Sequence, residues 1–345
     1  MNQSTEKSTD ILDTPILQKI TGNKLLMIFL VIIFVGVVSR LYDLGERVMS
    51  HDEINHVVYS WQLSEGQGYN HQPLSHGPLQ FHLQALSFFL FGDNDFTARL
   101  TSAICSILTI AFMWQYRRYL GNIGAIVAGA MFTISPYLLY YGRYARNEAL
   151  VALFSVVVLW AALRYLDTGK SKYLLWLTLA TALHFAAKET AFIFTAQLMI
   201  FLGLLMIQRV MQRKWNNADL RTPFTIFLLA ALAFLLLAGG VPMLQDMTAP
   251  EAIDPTAFEH AADVTVAEES KGLVDYLPLI FIGMTGLMVL LALVVLIRGL
   301  SWKRLKNERA FEMILLLLTL VLPQLAPFPI EAFGFDSMNY YDTDG

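Results

Sequence analysis

Nine apolar runs of near-membrane length dominate this chain and leave little room for any fold but a bundle of helices in a bilayer. The first, Leu25 to Val38, is apolar without a break and reads as a helix reaching to about Tyr42. Others follow near 100–116, 123–141, 149–166, 173–187, 191–207, 224–244, 277–297 and 311–328. Several fall short of the roughly 20 residues that a perpendicular span requires, so their ends sit in the interface or against protein. Composition agrees with this picture. With 56% of 345 residues hydrophobic, 15% charged and a mean hydropathy of +0.51, there is more apolar surface than one soluble core can hide. The expected fold class is all-α, a polytopic integral membrane protein of about nine transmembrane helices forming one domain over 24–345, after a polar cytoplasmic tail over 1–23. Ser39-Arg40-Leu41-Tyr42 offers no small-x-small cleavage site, so the first run is an uncleaved helix rather than a signal peptide. The single cysteine, Cys105, lies inside an apolar run, which removes disulfides and Cys-based metal sites and leaves a packing role. A net charge of -4 gives no sign of a nucleic-acid partner.

Topology follows from the basic residues. Pro78 to Phe91 is apolar but short, and Gln80, Gln84 and Ser87 draw a polar stripe along it, as in a helix lying in the interface. If it does not span, 17 Lys and Arg fall on the cytoplasmic side and 7 outside; if it spans, the division becomes 8 against 16. The positive-inside rule selects the first arrangement, with the N-terminus inside, an external loop over 41–99 and a second, acidic external loop over 245–276. The sequence stops after EAFGFDSMNYYDTDG without a closing helix or basic tail, which reads as a truncated product.

Polar chemistry collects at the external ends of the helices. The stretch SHDEINHVVYSWQLSEGQGYNHQPLSHGPLQFH, residues 50–82, holds Asp52, Glu53 and five of the seven histidines, namely His51, His56, His71, His76 and His82. Two further groups are YYGRYARNE, residues 140–148, and Lys188-Glu189. Arg143, Arg146 and Lys188 lie on the side that the positive-inside trend leaves poor in cations, and a lipid phosphate or pyrophosphate would supply the anion they need. A helix start with a local ion pair over 146–148, and a snorkelling Lys188, are the plainer explanations. Ser50 and Glu53 have capping-box spacing, and Asp52 suits the first turn of the same helix. Asp52 with His56 at i+4 would form a polar face opposite Ile54, Val57 and Trp61, where a carboxylate could act as a general base. His51 and His56 are five apart, not the four of a zinc-protease helix. His71, His76 and His82 with Asp52 or Glu53 could still hold a divalent ion, or the histidines could simply hydrogen-bond headgroups. Tyr137, Tyr140, Tyr141 and Tyr144 fit an interfacial belt as well as a sugar-stacking surface.

Taken in order, HDE in the first loop, then HGPLQFHLQALSFFLFGDNDFTARL, SPYLLYYGRYARNEAL and AAKETAFI resemble the GT-C superfamily of membrane glycosyltransferases over about residues 25–210. The branch is that of protein O-mannosyltransferases, the lipid A aminoarabinose transferase and RgtA/B/C/D-like proteins, and the chain is particularly similar to a prokaryotic subfamily named flippase-activity-associated proteins. The resemblance implies inverting transfer of a hexosyl or pentosyl group from a polyprenyl phosphate to a glycan, lipid or protein acceptor on the extracytoplasmic side of the plasma membrane, in building or glycosylating the cell envelope. It makes Asp52 the base or acceptor-positioning residue, with Glu53 in support. Arg143 and Lys188 would hold the donor phosphate, with His51, His56, His76, His82, Tyr141, Arg146, Glu148 and Glu189 as further substrate contacts. Glu148 stands where relatives commonly have aspartate. No cofactor is expected, with a divalent metal the open alternative. A transporter would place ionisable groups near the membrane midplane, where these spans have almost none. A non-catalytic accessory protein for lipid-linked glycan export stays open.

Overall fold

The computed structural model describes residues 24–68, 77–248 and 276–327, with side chains placed for all of these except 242–248. Every regular element among the described residues is helical. The helices are α1 (Lys24–Leu41), α2 (His51–Ser64), α3 (Leu79–Phe91), α4 (Asp95–Phe112), α5 (Arg117–Ile134), α6 (Pro136–Tyr141), α7 (Glu148–Thr168), α8 (Ser171–Ala187), α9 (Ala191–Gln212), α10 (Arg221–Thr248), α11 (Leu277–Leu300), α12 (Trp302–Leu305) and α13 (Arg309–Val321). Helices suit the bilayer because each satisfies its own backbone groups.

Among the described residues, six helical stretches are long and apolar enough to cross a membrane: Lys24–Leu41, Asp95–Ile134, Glu148–Thr168, Ala191–Gln212, Ala218–Val241 and Leu277–Leu300. This is a multi-pass membrane protein. Asp95–Ile134 contains two antiparallel helices. Arg40, at the end of α1, bonds Ser106 of α4 and the Thr133 carbonyl of α5, whereas Trp114 between them lies 5.0 Å from Phe29, near the start of α1. The chain turns back through a 3-10 turn, Met113–Tyr116, and Gly121, whose φ of 72° is a left-handed value that glycine adopts without strain. The run read as a span at 173–187 is present as α8 with 17 residues, and that at 311–328 as the shorter α13 with 13. The tail over 1–23, most of the acidic loop and the C-terminal residues after 327 lie outside the described residues.

The chain gathers into two compact units. The first takes its described residues from those up to Gly203 and from Met313 onward, the second from Leu204–Glu312. In the second, α10 packs along α11 around Val210, Trp215, Phe224, Leu296 and Leu300, and Arg213 is ion-paired with Glu308. The first unit holds every residue singled out above for chemistry that the structure describes. Phe29, Met113 and Tyr116 form one of its apolar clusters, and Cys105, Ala149, Leu150 and Ala187 another, so Cys105 does pack as its sequence context implies.

The polar stripe of α3 is real, but it faces protein. Gln80, Gln84 and Ser87 are buried while Leu86, Phe89 and Leu90 are exposed. Gln84 accepts from Ser60 Oγ at 2.8 Å and donates to the Ala98 carbonyl at 2.5 Å, and Ser87 Oγ donates to the Thr97 carbonyl at 2.9 Å. These bonds lock α2, α3 and α4 into one packet. Face assignment on α2 also differs from expectation: Glu53, His56 and Ser60 point inward, and Ile54, Val58 and Trp61 point out.

Candidate functional site

The site grows from the loop over 142–147. Its preceding helix, α6, is only six residues long, started by Pro136 in the first turn and ended at Gly142. Gly142 lies hard against α4, where a Cβ would overlap Ser106, so glycine permits the close approach. Glu53 then pins the loop from below. Its Oε1 accepts from Arg99 Nε at 2.8 Å and from the Ala145 N–H at 3.1 Å. Its Oε2 accepts from Arg47 Nη2 at 2.7 Å and from Arg99 Nη2 and the Ser50 N–H at 3.1 Å each. The last of these is the Glu53 half of the anticipated capping box, and it is one bond of five. Burial alone would push the Glu53 carboxyl up; the hydrogen bonds from Arg99, Ala145 and Ser50, with the charge of Arg99, outweigh it and hold the group below the usual carboxylate range. Glu53 has no exposed surface, so it acts on the loop and presents nothing to a substrate.

Two arginines tie helix ends together. The Phe132 carbonyl of α5 has no helical partner, because residue 136 is proline and lacks an N–H. Arg40 fills that role, donating to the Phe132 carbonyl at 2.9 Å and to the Thr133 carbonyl at 2.7 Å. Arg143 does the same for the end of α1, donating to the carbonyls of Ser39 at 2.8 Å, Tyr42 at 2.6 Å and Asp43 at 3.1 Å. A helix C-terminus carries partial negative charge, which favours a cation there.

The remaining charges alternate in sign along one line. Asp52 Oδ2 accepts from Arg146 Nη1 at 2.8 Å, Arg146 Nε lies 3.8 Å from Glu148 Oε2, and Glu148 Oε1 accepts from Lys188 Nζ at 2.8 Å. The outer end is the exposed one: the Asp52 side chain is 54% exposed, against 21% for Arg146, 14% for Glu148 and 16% for Lys188. At its inner end Glu148, Lys188, Tyr137 and Thr190 head a groove of about 410 Å³ whose other walls include Phe132, Val151, Ala152, Val156 and Phe194. A further cleft of about 350 Å³ shares Ser155, Val156 and Phe194 with it and extends to Leu159 and Phe201. From Glu148 to Leu159 along α7 is about 16 Å at 1.5 Å per residue. Polar atoms remain at the head: Thr190 Oγ1, Glu148 Oε2 and Arg146 Nε are buried without a hydrogen bond.

Other anticipated residues are dispersed. His51 is exposed with Nδ1 3.9 Å from Asp52 Oδ1, and His82 is exposed with Nδ1 2.8 Å from the Pro78 carbonyl. His56 is buried, stacked on Phe81 at 5.5 Å, and its Nδ1 meets the backbone carbonyl of Asp52 rather than the carboxylate. Tyr141 stands in a cluster with Tyr137, Tyr140 and Tyr144, and Glu189 is exposed. His71 and His76 lie outside the described residues. Among the described residues no three His, Cys, Asp or Glu side chains gather as a metal ion would require. Sequence reasoning misses Arg40, Arg47 and Arg99, although each carries the signal that singles out Arg143, Arg146 and Lys188, a cation at the helix ends that the positive-inside rule expects to be poor in them.

Residues 75–240 match the family of dolichyl-phosphate-mannose-protein mannosyltransferases. The match takes in Arg143, Arg146, Glu148 and Lys188 but begins after Asp52 and Glu53. It indicates a membrane glycosyltransferase and supports the GT-C superfamily. No curated protein and no solved structure matches the chain.

Proposed function

We propose that the chain transfers a sugar from a polyprenyl-phosphate donor to an acceptor hydroxyl on the extracytoplasmic side, with inversion at the anomeric carbon. The observation that carries this is the groove with a charged head and an apolar body, the shape of a lipid phosphate. The polyprenyl chain lies along α7 between Val151 and Phe201. The phosphate sits at the head, where Thr190 Oγ1 has hydrogen-bonding capacity left and where Lys188 exchanges its bond to Glu148 for one to the donor. The second phosphate contact, expected of Arg143, falls in this arrangement to Arg146, which reaches Glu148 and the loop surface; Arg143 braces α1. The excess of basic residues on the other side of the spans supports the extracytoplasmic placement.

In the reaction the acceptor oxygen bonds to the anomeric carbon as the bond from that carbon to the phosphate oxygen breaks. The acceptor proton passes to Asp52, whose half-exposed carboxylate stands where an acceptor can reach it, and polyprenyl phosphate leaves with one more negative charge. Lys188 and Arg146 neutralise that charge as it develops, and fixed cations in a site shielded from water do this at little reorganisation cost. Glu148 holds Lys188 at the groove mouth between turnovers. Glu53, through Arg99 and Ala145, keeps the loop in place.

The test is photolabelling of the purified full chain with a photoreactive undecaprenyl phosphate. Labelling of peptides containing Val151–Val156 or Phe194, lost in Lys188→Ala, is the expected result. Label elsewhere, or undiminished in the variant, would remove the groove from consideration. Asp52→Asn should bind the lipid normally yet lose sugar transfer.

A further inference from the structure

The opposite ends of α7 and α8 hold a second cleft of amphiphile shape. Between Glu148 and Arg164 along α7 lie about 24 Å, most of a bilayer core. There Arg117 and Arg118 from the start of α5, Arg164 from the end of α7 and Lys172 from the start of α8 line a cleft of about 510 Å³. Arg118 is the one among them with a carboxylate partner in the described residues, Asp167 at 3.1 Å, which also accepts from Tyr119 Oη at 2.9 Å. The other three are held by aromatic rings and neutral oxygens. Arg164 donates to Tyr173 Oη at 2.9 Å and stacks 5.1 Å over that ring, Lys172 Nζ lies 5.2 Å from the same ring, and Arg117 stacks 5.2 Å over Trp114. Such stacking fixes the cations in place while leaving their donors for an anion.

Ordinary interfacial cations extend into water one by one. Here cations from two stretches remote in sequence, 117–118 and 164–172, converge on one cleft with an excess of positive charge. The cleft is also not closed at its inner end. Gln115 and Trp176 line both it and an apolar groove of about 400 Å³ between α4, α7 and α8, with Leu108, Phe154, Leu179 and Leu183 among its walls. From Trp176 to Leu183 that groove runs about 10 Å along α8. A soluble phosphate would use the cationic part alone; a lipid with a phosphate head uses both.

We infer that this end of the bundle binds an anionic phospholipid, its phosphate among Arg117, Arg118, Arg164 and Lys172 and an acyl chain in the groove beyond Trp176, in the leaflet opposite the Glu148–Lys188 groove. Basic pockets between transmembrane helices bind anionic headgroups in this way. The inference depends on the chain being a membrane protein and not on the glycosyltransferase reading.

The experiment is native mass spectrometry of the full chain in neutral detergent with palmitoyl-oleoyl phosphatidylglycerol, against phosphatidylcholine of the same chains. The wild type should retain phosphatidylglycerol over phosphatidylcholine on the order of tenfold. Arg117→Gln/Lys172→Gln, both exposed positions, should lower retention to the phosphatidylcholine level without moving the melting temperature. Ala111→Trp, which narrows the apolar groove, should lose the lipid while keeping the charges. Equal retention of the two lipids by the wild type, or unchanged retention in the double variant, overturns the proposal. So does displacement by millimolar glycerol phosphate, which would mark a site for a soluble phosphate. Loss of phosphatidylglycerol in Lys188→Ala would move the lipid to the other groove, with the same consequence.

Discussion

The two ends of α7 and α8 carry cations in opposite states. At the Glu148 end, Arg99 is enclosed by Glu53, Arg40 and Arg143 are committed to helix-end carbonyls, and Lys188 is paired with Glu148. At the Arg164 end, among the described residues, the carboxylate of Asp167 pairs with Arg118 alone of the four cations that line an open cleft. Position relative to solvent explains the difference. A buried cation without a partner is costly, so each one admitted to the interior has brought its acceptors with it. An interfacial cation retains water and needs no internal partner. The first end is therefore rigid and specific, and the second is charged and accessible.

The largest effect should come from breaking the rigid end at its centre. Glu53→Ala leaves Arg99, whose side chain is 1% exposed, without its carboxylate, and should cost about 3–5 kcal/mol, visible as loss of the thermal transition in detergent. The same pair predicts a pH dependence. Because the folded protein holds Glu53 below its ordinary value of about 4.5, the unfolded chain binds the proton first as pH falls. The stability from this group is complete well above pH 4.5 and is lost as pH falls through that value toward the folded one. A melting series from neutral pH downward that stays flat below that value would break the assignment.

Next in size, Lys188→Ala should lower turnover at saturating donor about 10²–10³-fold, the usual loss when a donor to developing negative charge is removed. Arg143→Ala sharpens the contrast between binding and bracing. Charged hydrogen bonds to carbonyls are worth about 1.5–3 kcal/mol each way of counting, so the melting temperature should drop while turnover of the folded fraction changes far less than in Lys188→Ala. If Arg143→Ala instead matched the Lys188 variant in turnover at unchanged stability, Arg143 would be a phosphate ligand.

The helices of this fold were legible because a span's length and hydropathy are local properties. Ser50 and Glu53 likewise announce a helix start at three-residue spacing. What spacing cannot give is the partner at the far end of a side chain. Glu53 meets Arg99 across 46 residues and Ala145 across 92, so a residue that reads locally as a cap is also the clamp under a distant loop. The stripe of Gln80, Gln84 and Ser87 shows the same limit: its period was visible, but amphipathic spacing looks alike whether the polar side meets water or Ser60 and Ala98. On α2, Asp52 and His56 are one turn apart, yet His56 turns inward and stacks on Phe81 while Asp52 meets Arg146. The charged residues of the candidate site were found through a rule about sidedness, which groups residues by the helix ends they share without sorting ligands from braces.

The smallest effect should lie at the open end. Arg118 and Asp167 are 60% and 34% exposed, and an ion pair so placed gains little because water and salt screen it and two side chains must be ordered to form it. Arg118→Ala should therefore change stability by about 0–1 kcal/mol, with the residual effect fading at high ionic strength. Glu53→Ala should be much less sensitive to salt, because the bidentate partner of Glu53, Arg99, is enclosed. Measuring both variants at low and high salt compares the two ends directly. A large, salt-independent loss in Arg118→Ala would mean that this end too is closed around its charges, and the cleft would then be a structural network rather than a surface open to a ligand.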